Sequence, residues 1–105
     1  MREFGAKGVK VAAVNGSLIT DRVLSLTDTI LENGKPTSTL APSLVSAEVY
    51  LGAEPIAEAL RNGAHIVVTG RVADPSIFMA PMMFEFGWDP LDHARLGAGN
   101  GLGHL

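Results

Sequence analysis

The stretch HIVVTGRVADPS, residues 65–76, decides which fold this sequence predicts. It opens with an apolar, β-branched run at residues 65–69, which predicts a strand buried on both faces, as in parallel sheets. A polar turn follows, and Ser76 is suited to cap a helix that runs to about Phe86. A second run of the same kind, VKVAAV, occupies residues 9–14. Two such strands with helical segments between them predict an α/β fold with a parallel sheet.

Helical spacing follows the first strand at residues 20–33, where apolar side chains recur at intervals of three and four residues. Thr20 or Asp21 is suited to cap the start, and Gly34 is suited to the left-handed position at the end. Residues 35–46 contain two prolines and predict a long loop without regular structure. The connection between the strands is therefore expected to begin with a helix and a loop.

Further helices are predicted at residues 47–62, 76–86 and 91–96. Pro55 fits the first turn of the first of these, where its missing N–H group does no harm. Four glycines at residues 97–103, spaced two apart, predict close packing or, alternatively, a turn that faces a ligand. The helix at residues 76–86 carries an apolar stripe, which indicates core packing or, alternatively, the wall of an apolar ligand pocket. The stripe consists of Phe78, Met79, Met82, Met83 and Phe86.

Two strands cannot cover both of their faces by themselves. We therefore expect residues 1–105 to form a single fragment of a larger α/β domain. Its fold would be a piece of a parallel sheet with helical crossovers, of the Rossmann-like three-layer type. Either the rest of a longer chain or another subunit would then complete the incomplete sheet.

The composition excludes several classes of protein. A hydrophobic content of 47% with 18% charged residues indicates a buried core rather than disorder. A net charge of −3 without a basic run argues against a nucleic-acid partner. No apolar run approaches the roughly 20 residues of a membrane span. The absence of cysteine excludes disulfides and thiolate chemistry and suits the cytoplasm.

The turn after the second strand carries the strongest signal for chemistry, because ligands of open α/β sheets bind at the carboxyl ends of strands. Gly70 lets the backbone approach a ligand, and Arg71 is suited to bind a carboxylate or phosphate through two parallel hydrogen bonds. Asp74 would hold the arginine, bind a metal such as Mg²⁺ or act as a base. The alternative is structural: Arg71 and Asp74 pair with each other, and Asp74 caps the following helix.

Asn15 and Gly16 follow the first strand. In a parallel sheet they lie at the same edge as the arginine turn, so the two loops are expected to share one cleft; the alternative is turn chemistry alone. His104 is a weaker candidate. We expect His65 to be structural and His93 to be solvated. No histidine pair has the spacing of a zinc site, which argues against zinc in this segment, and no motif identifies a cofactor. A nucleotide-binding module is a further alternative, but no glycine fingerprint follows either strand.

The block AEVYLGAEPI at residues 47–56 and the block GAHIVVTGRVAD at residues 63–74 resemble the acyclic terpene utilisation (AtuA-like) family. The resemblance continues through FEFGW at residues 84–88. It is close over residues 47–105 and looser over residues 9–34. Members are several hundred residues long and mainly bacterial, and this chain resembles the middle of their N-terminal domain. An Asn-x-Gly-Gly segment expected upstream has no counterpart here.

The resemblance implies a role in the breakdown of acyclic terpenes such as citronellol and geraniol, by way of acyl-CoA intermediates. We therefore expect part of an enzyme that binds or converts a branched acyl-CoA or a carboxylated terpenoid. The positions that the resemblance carries over are Gly70, Arg71, Asp74 and His104, with the last two as catalytic candidates. The alternative is a non-catalytic binding or assembly subunit of the same pathway, since no pair of nucleophile and base is visible.

Overall fold

The computed structural model describes residues 7–105. Across these residues, no helix is both long and apolar enough to cross a membrane. The strands and helices follow the chain as β1 (Val11–Val14), α1 (Thr20–Val23), a 3₁₀ turn (Thr37–Leu40), α2 (Glu54–Arg61), β2 (Ile66–Thr69), α3 (Ser76–Phe86) and α4 (His93–His104).

The two strands form a parallel sheet, in which Val11 pairs with Ile66 and Val14 pairs with Thr69. The mixed α/β architecture and the parallel sheet predicted from the sequence are therefore confirmed. The helices of the described residues stack outward from the sheet, because α2 packs on both strands, α3 packs on α2, and α4 packs on α3. The two-stranded parallel sheet with its helices is consistent with an incomplete piece of a Rossmann-like fold.

Within residues 7–105 the two strands are covered on one face only, as expected of two strands that cannot cover both faces by themselves. Val14 and Val67 lie on the face that packs against the core. On the other face, the side chains of Val11 and Val68 are 52% and 57% exposed. The physical reason is that α2 is the element that packs on this sheet, and it covers one face only.

The core lies between the sheet, α2 and α3. Most of the side chains buried there among residues 7–105 are alanines, and Val14, Val67, Trp88 and Leu96 pack around them while partly exposed. Small side chains at the contact let helices approach closely. The buried members are Ala53, Ile56, Ala57, Ala80 and Met83.

The helix predicted at residues 20–33 is wrong beyond its first turn, since α1 ends at Val23. The proposed caps are not used. Ile19 occupies the N-cap position, and the Thr20 hydroxyl accepts a hydrogen bond from the Ala47 N–H at 3.0 Å. A helix this short has little stability of its own without an apolar face packed on a neighbour.

The helix predicted at residues 47–62 begins later, at Glu54, with Pro55 in its first turn as expected. Residues 47–51 are instead extended and pair with two other parts of the chain. The helix ends at Arg61, and the positive φ of +82° at Gly63 shows why a glycine follows it.

The third predicted helix is confirmed as α3, with Gly87 in the left-handed conformation at its end. Pro75, not Ser76, occupies its N-cap position, and no side chain caps it. The helix predicted at residues 91–96 is longer than expected, and of the two alternatives for the glycines the close packing is confirmed and the turn is wrong. A continuous helix, α4, runs through the glycines to His104, and Asp92 caps it by accepting from the Arg95 N–H at 3.1 Å.

Close packing explains why the glycine-rich segment is helical. A Cβ at Gly99 would lie 2.9 Å from the Trp88 ring, and a Cβ at Gly103 would lie 2.7 Å from that of Pro75. Both distances are shorter than side chains tolerate, so these two glycines let α4 rest directly on α3 and on the turn before it. The contact between the helices offsets the poor helix propensity of glycine.

Candidate ligand-binding site at the strand ends

The loops that follow β1 and β2 lie side by side at the carboxyl edge of the sheet. The Gly70 N–H donates to the Val14 carbonyl at 3.0 Å, and the Arg71 N–H donates to the Ser17 hydroxyl at 3.3 Å. Ser17 is buried. A Cβ at Gly70 would lie 2.6 Å from the Ser17 hydroxyl oxygen. A side chain at position 70 would therefore displace the Ser17 hydroxyl, a constraint on Gly70 that the sequence did not reveal.

Residues 47–51 form an extended bridging segment across these two loops. The Val49 N–H donates to the Ser17 carbonyl at 2.8 Å, and the Leu51 N–H donates to the Arg71 carbonyl at 3.2 Å. The segment pairs antiparallel with the first loop and parallel with the second. It thereby holds together the two loops that the sequence analysis singled out.

The bridging segment also supplies the partners of the Arg71 side chain. The Arg71 Nε donates to the Glu48 carboxylate at 2.5 Å, and Nη1 donates to the Tyr50 hydroxyl at 3.2 Å. The guanidinium carbon lies 5.7 Å from the centroid of the Tyr50 ring, within the range of a cation–π contact. Guanidinium carries N–H groups beyond these two, and within residues 7–105 those others have no hydrogen-bond partner.

The electrostatics of this cluster keep the arginine charged. The hydrogen bond to Glu48 raises the pKa of Arg71 above its ordinary value, and Tyr50 raises it further. The Arg71 side chain is 58% exposed. Ion pairs at such exposed positions are weak. A second anion is therefore able to compete with Glu48 for this guanidinium.

Asp74 neither pairs with Arg71 nor caps α3, both of which the structural alternative required. Arg71 forms its ion pair with Glu48 rather than with Asp74, and no side chain caps α3. Asp74 is exposed, and its carboxylate forms no hydrogen bond within the described part of the chain. No three His, Cys, Asp or Glu side chains of residues 7–105 come together as a group that would hold a metal ion.

The remaining predicted site residues fall into two places. Asn15 and Gly16 lie next to Ser17 in the first loop, and the φ of +106° at Gly16 shows that the turn itself requires glycine there. His104 is the last residue of α4, and its neighbour Gly103 packs against Pro75, which follows Asp74. The first place adjoins Arg71, and the second brings the end of α4 beside the start of α3.

A pocket of about 200 Å³ lies between the start of α2 and the two last helices. Met79 and Met83 line it, whereas Phe78 and Phe86 are 57% and 68% exposed. The apolar stripe of α3 therefore contributes both to the core and to the wall of a pocket, and Met83 belongs to both. The full lining is Gly52, Ala53, Glu54, Met79, Met83, Pro90 and Leu96.

Comparison with known proteins identifies the family. The model of the acyclic terpene utilisation family protein AtuA matches residues 1–105, which is the whole chain. The chain belongs to this family, as the motifs at residues 47–56 and 63–74 indicated, and it is associated with acyclic terpene utilisation. No curated protein and no solved structure matches it.

Proposed function

From the membership of this chain in the AtuA family, we propose that it binds a branched acyl-CoA or a carboxylated terpenoid during the breakdown of acyclic terpenes such as citronellol and geraniol. One observation carries the proposal. The Arg71 guanidinium is charged and exposed at the carboxyl ends of two parallel strands, where α/β proteins bind ligands. The cytoplasm is its proposed compartment, since the chain lacks cysteine.

In this proposal, Arg71 binds the carboxylate or a phosphate of the ligand. N–H groups beyond those bound to Glu48 and Tyr50 donate to its oxygens. Contact with the Tyr50 ring holds the plane of the guanidinium, which favours two parallel hydrogen bonds to an oxyanion. Glu48 keeps the side chain in place while the site is empty, and its exposed pairing yields to a ligand that offers better geometry.

Asp74 and His104 are the proposed acid and base. Support comes from the contact of Gly103 with Pro75, which brings the end of α4 next to Asp74. Both side chains are exposed and able to exchange protons with a ligand. Imidazole and carboxylate are the side chains most often used for proton transfer in catalysis.

Calorimetry with geranyl-CoA and with geranate tests the binding role. We expect Arg71→Ala to weaken binding by about tenfold or more, because a charge-assisted contact is lost. We expect Glu48→Gln to strengthen binding, because it removes a competing negative charge and keeps the shape of the side chain. Arg95→Ala is the matched control, since Arg95 is also exposed and paired, with Asp92 at 3.2 Å. Unchanged affinity in Arg71→Ala would overturn the proposed site.

The same ligands test the catalytic assignment. We expect Asp74→Asn and His104→Gln to bind with wild-type affinity and to lose turnover, because neither substitution touches the Arg71 contacts. Turnover at the wild-type rate in both variants would exclude the two residues as acid and base.

A second candidate function is a non-catalytic binding or assembly subunit of the same pathway. It is favoured by exposed apolar surface on the open face of the sheet, at Val11 and Val68, and on α3, at Ile77 and Phe78. Such patches often mark contacts with other proteins. Turnover by the purified chain alone excludes this candidate, whereas a stable complex without turnover on its own supports it.

A further inference from the structure

The pocket beside α2 has the character of a site for hydrocarbon. Its lining is apolar apart from Glu54, which is exposed. Met79 and Met83 contribute flexible thioether side chains, which adapt to irregular and branched shapes better than rigid side chains do. Leu96 of α4 is also part of the lining. An apolar group with methyl branches is the ligand chemistry that matches such walls.

The size of the pocket limits what it holds. Its volume of about 200 Å³ is below the roughly 300 Å³ at which sites for whole small molecules begin. At roughly 30 Å³ for each water-sized group, it has room for about five to seven non-hydrogen atoms. The pocket therefore takes one end of a ligand and leaves the rest of it outside.

The bridging segment connects this pocket to Arg71. Gly52 directly follows the bridging segment and lies two residues beyond Tyr50. Residues two apart on one face are separated by roughly 7 Å. Gly52 lines the pocket, and Tyr50 contacts Arg71. Two residues that are only two apart in sequence therefore touch the two places where the ends of the ligand are proposed to bind.

We infer that this pocket holds one branched five-carbon unit at the end of the substrate, with Leu96 and Met79 as the residues that determine specificity. The inference rests on the proposed function for the acidic end of the ligand. It adds that branching is recognised, so an acid with methyl branches binds more tightly than a straight-chain acid of equal length.

Calorimetry with 3,7-dimethyloct-6-enoate and with octanoate measures this preference, because the two acids differ in their methyl branches and one double bond. We expect the wild-type protein to prefer the branched acid by about fourfold, the value for the one methyl branch that the pocket buries. We expect Leu96→Trp to fill the pocket and abolish the preference. Leu102→Trp is the matched control, because Leu102 lies on the same helix, is 62% exposed and does not line the pocket.

Methyl resonances of the methionines give a second readout that needs no substitution. We expect the branched acid to shift the ¹³C-methyl signals of Met79 and Met83 more than that of Met82, which lies outside the lining. Equal affinity of the wild-type protein for both acids, or a preference that survives in Leu96→Trp, would overturn the inference. So would signals of Met79 and Met83 that do not move.

The two proposals fail in different ways. Arg71→Ala is expected to weaken binding of both acids equally, since both carry the same carboxylate, and to leave the preference intact. If Arg71→Ala has no effect while Leu96→Trp abolishes the preference, the pocket stands and the role of Arg71 is wrong. If Arg71→Ala weakens both acids and Leu96→Trp changes nothing, the role of Arg71 stands and the pocket is wrong.

Discussion

The sequence of residues 20–33 favours a helix and that of α4 does not, yet the helix forms in α4. The first segment has regular helical spacing, yet its helix ends after one turn, at Val23. The second contains four glycines between residues 97 and 103, yet it is helical from His93 to His104. Leu31 in the first segment is 95% exposed, whereas Gly99 in the second lies against Met82 and the Trp88 ring.

The difference lies in the neighbours rather than in the segments themselves. Helix α3 offers α4 a surface along which two glycines permit close approach. Among residues 7–105, no helix packs on residues 20–33 in the same way. Most of the stability of a helix in a protein comes from its packed face, so periodicity alone does not decide where helices form.

The largest expected change in the free energy of unfolding comes from a residue of the core between α2 and α3. Met83 is 2% exposed and packs between α2 and α3. We expect Met83→Ala to lower the free energy of unfolding by about 2–5 kcal/mol, because it leaves a cavity. We expect Leu31→Ala, in the exposed segment, to change it by less than about 0.5 kcal/mol. Chemical denaturation of both variants checks this, and equal losses would contradict the contrast.

A smaller effect is expected at the glycines of α4. A Cβ at Gly103 would lie 2.9 Å from the Pro75 Cα, whereas a Cβ at Gly101 meets no atom within 4 Å. We expect Gly103→Ala to destabilise the protein by about 1–3 kcal/mol through crowding. We expect Gly101→Ala to stabilise it by about 0.5–1 kcal/mol, since alanine favours helix. Thermal melts followed by circular dichroism measure both, and a stabilising Gly103→Ala would refute the close contact of α4.

The smallest expected change in stability concerns the contact between residues 20–33 and the bridging segment. Thr20→Val removes the acceptor for the Ala47 N–H. We expect a loss of about 0.5–1.5 kcal/mol in the free energy of unfolding, the usual value for one hydrogen bond. Thr27→Val is the control, because the Thr27 hydroxyl forms no hydrogen bond within residues 7–105 and the residue is exposed. Urea denaturation separates them, and equal stability of the two variants would show that the bond contributes nothing.

The sequence predicted those elements whose signals are local. Both strands and α3 follow from short apolar runs bounded by turns, and Gly63 and Gly87 have the left-handed backbone expected after α2 and α3. The lengths of the helices were not predictable in the same way. The end of α1 and the extent of α4 depend on contacts with distant parts of the chain, which no local spacing encodes.

In the candidate site, too, the local features were predictable and the contacts between distant residues were not. Because parallel strands share an edge, the approach of Gly16 and Arg71 was predictable, and the Gly70–Val14 hydrogen bond at 3.0 Å shows it. Glu48, which holds Arg71, was missed, since it lies 23 residues away in a segment predicted to be helical. The alternation of polar side chains at Glu48 and Tyr50 was the one signal that pointed to an extended segment there.

The parallel pairing of β1 with β2 also bears on the order in which the molecule folds. Lys10 and His65, which bond at the entrance to the sheet, are 55 residues apart, whereas α2, α3 and α4 pack on neighbours that follow closely along the chain. Closing so long a loop is slow. Its entropic cost, however, rises by only about 0.6 kcal/mol for each doubling of length. Residues 20–46 are therefore the place where the chain accepts an insertion with the least effect on the pairing of its strands.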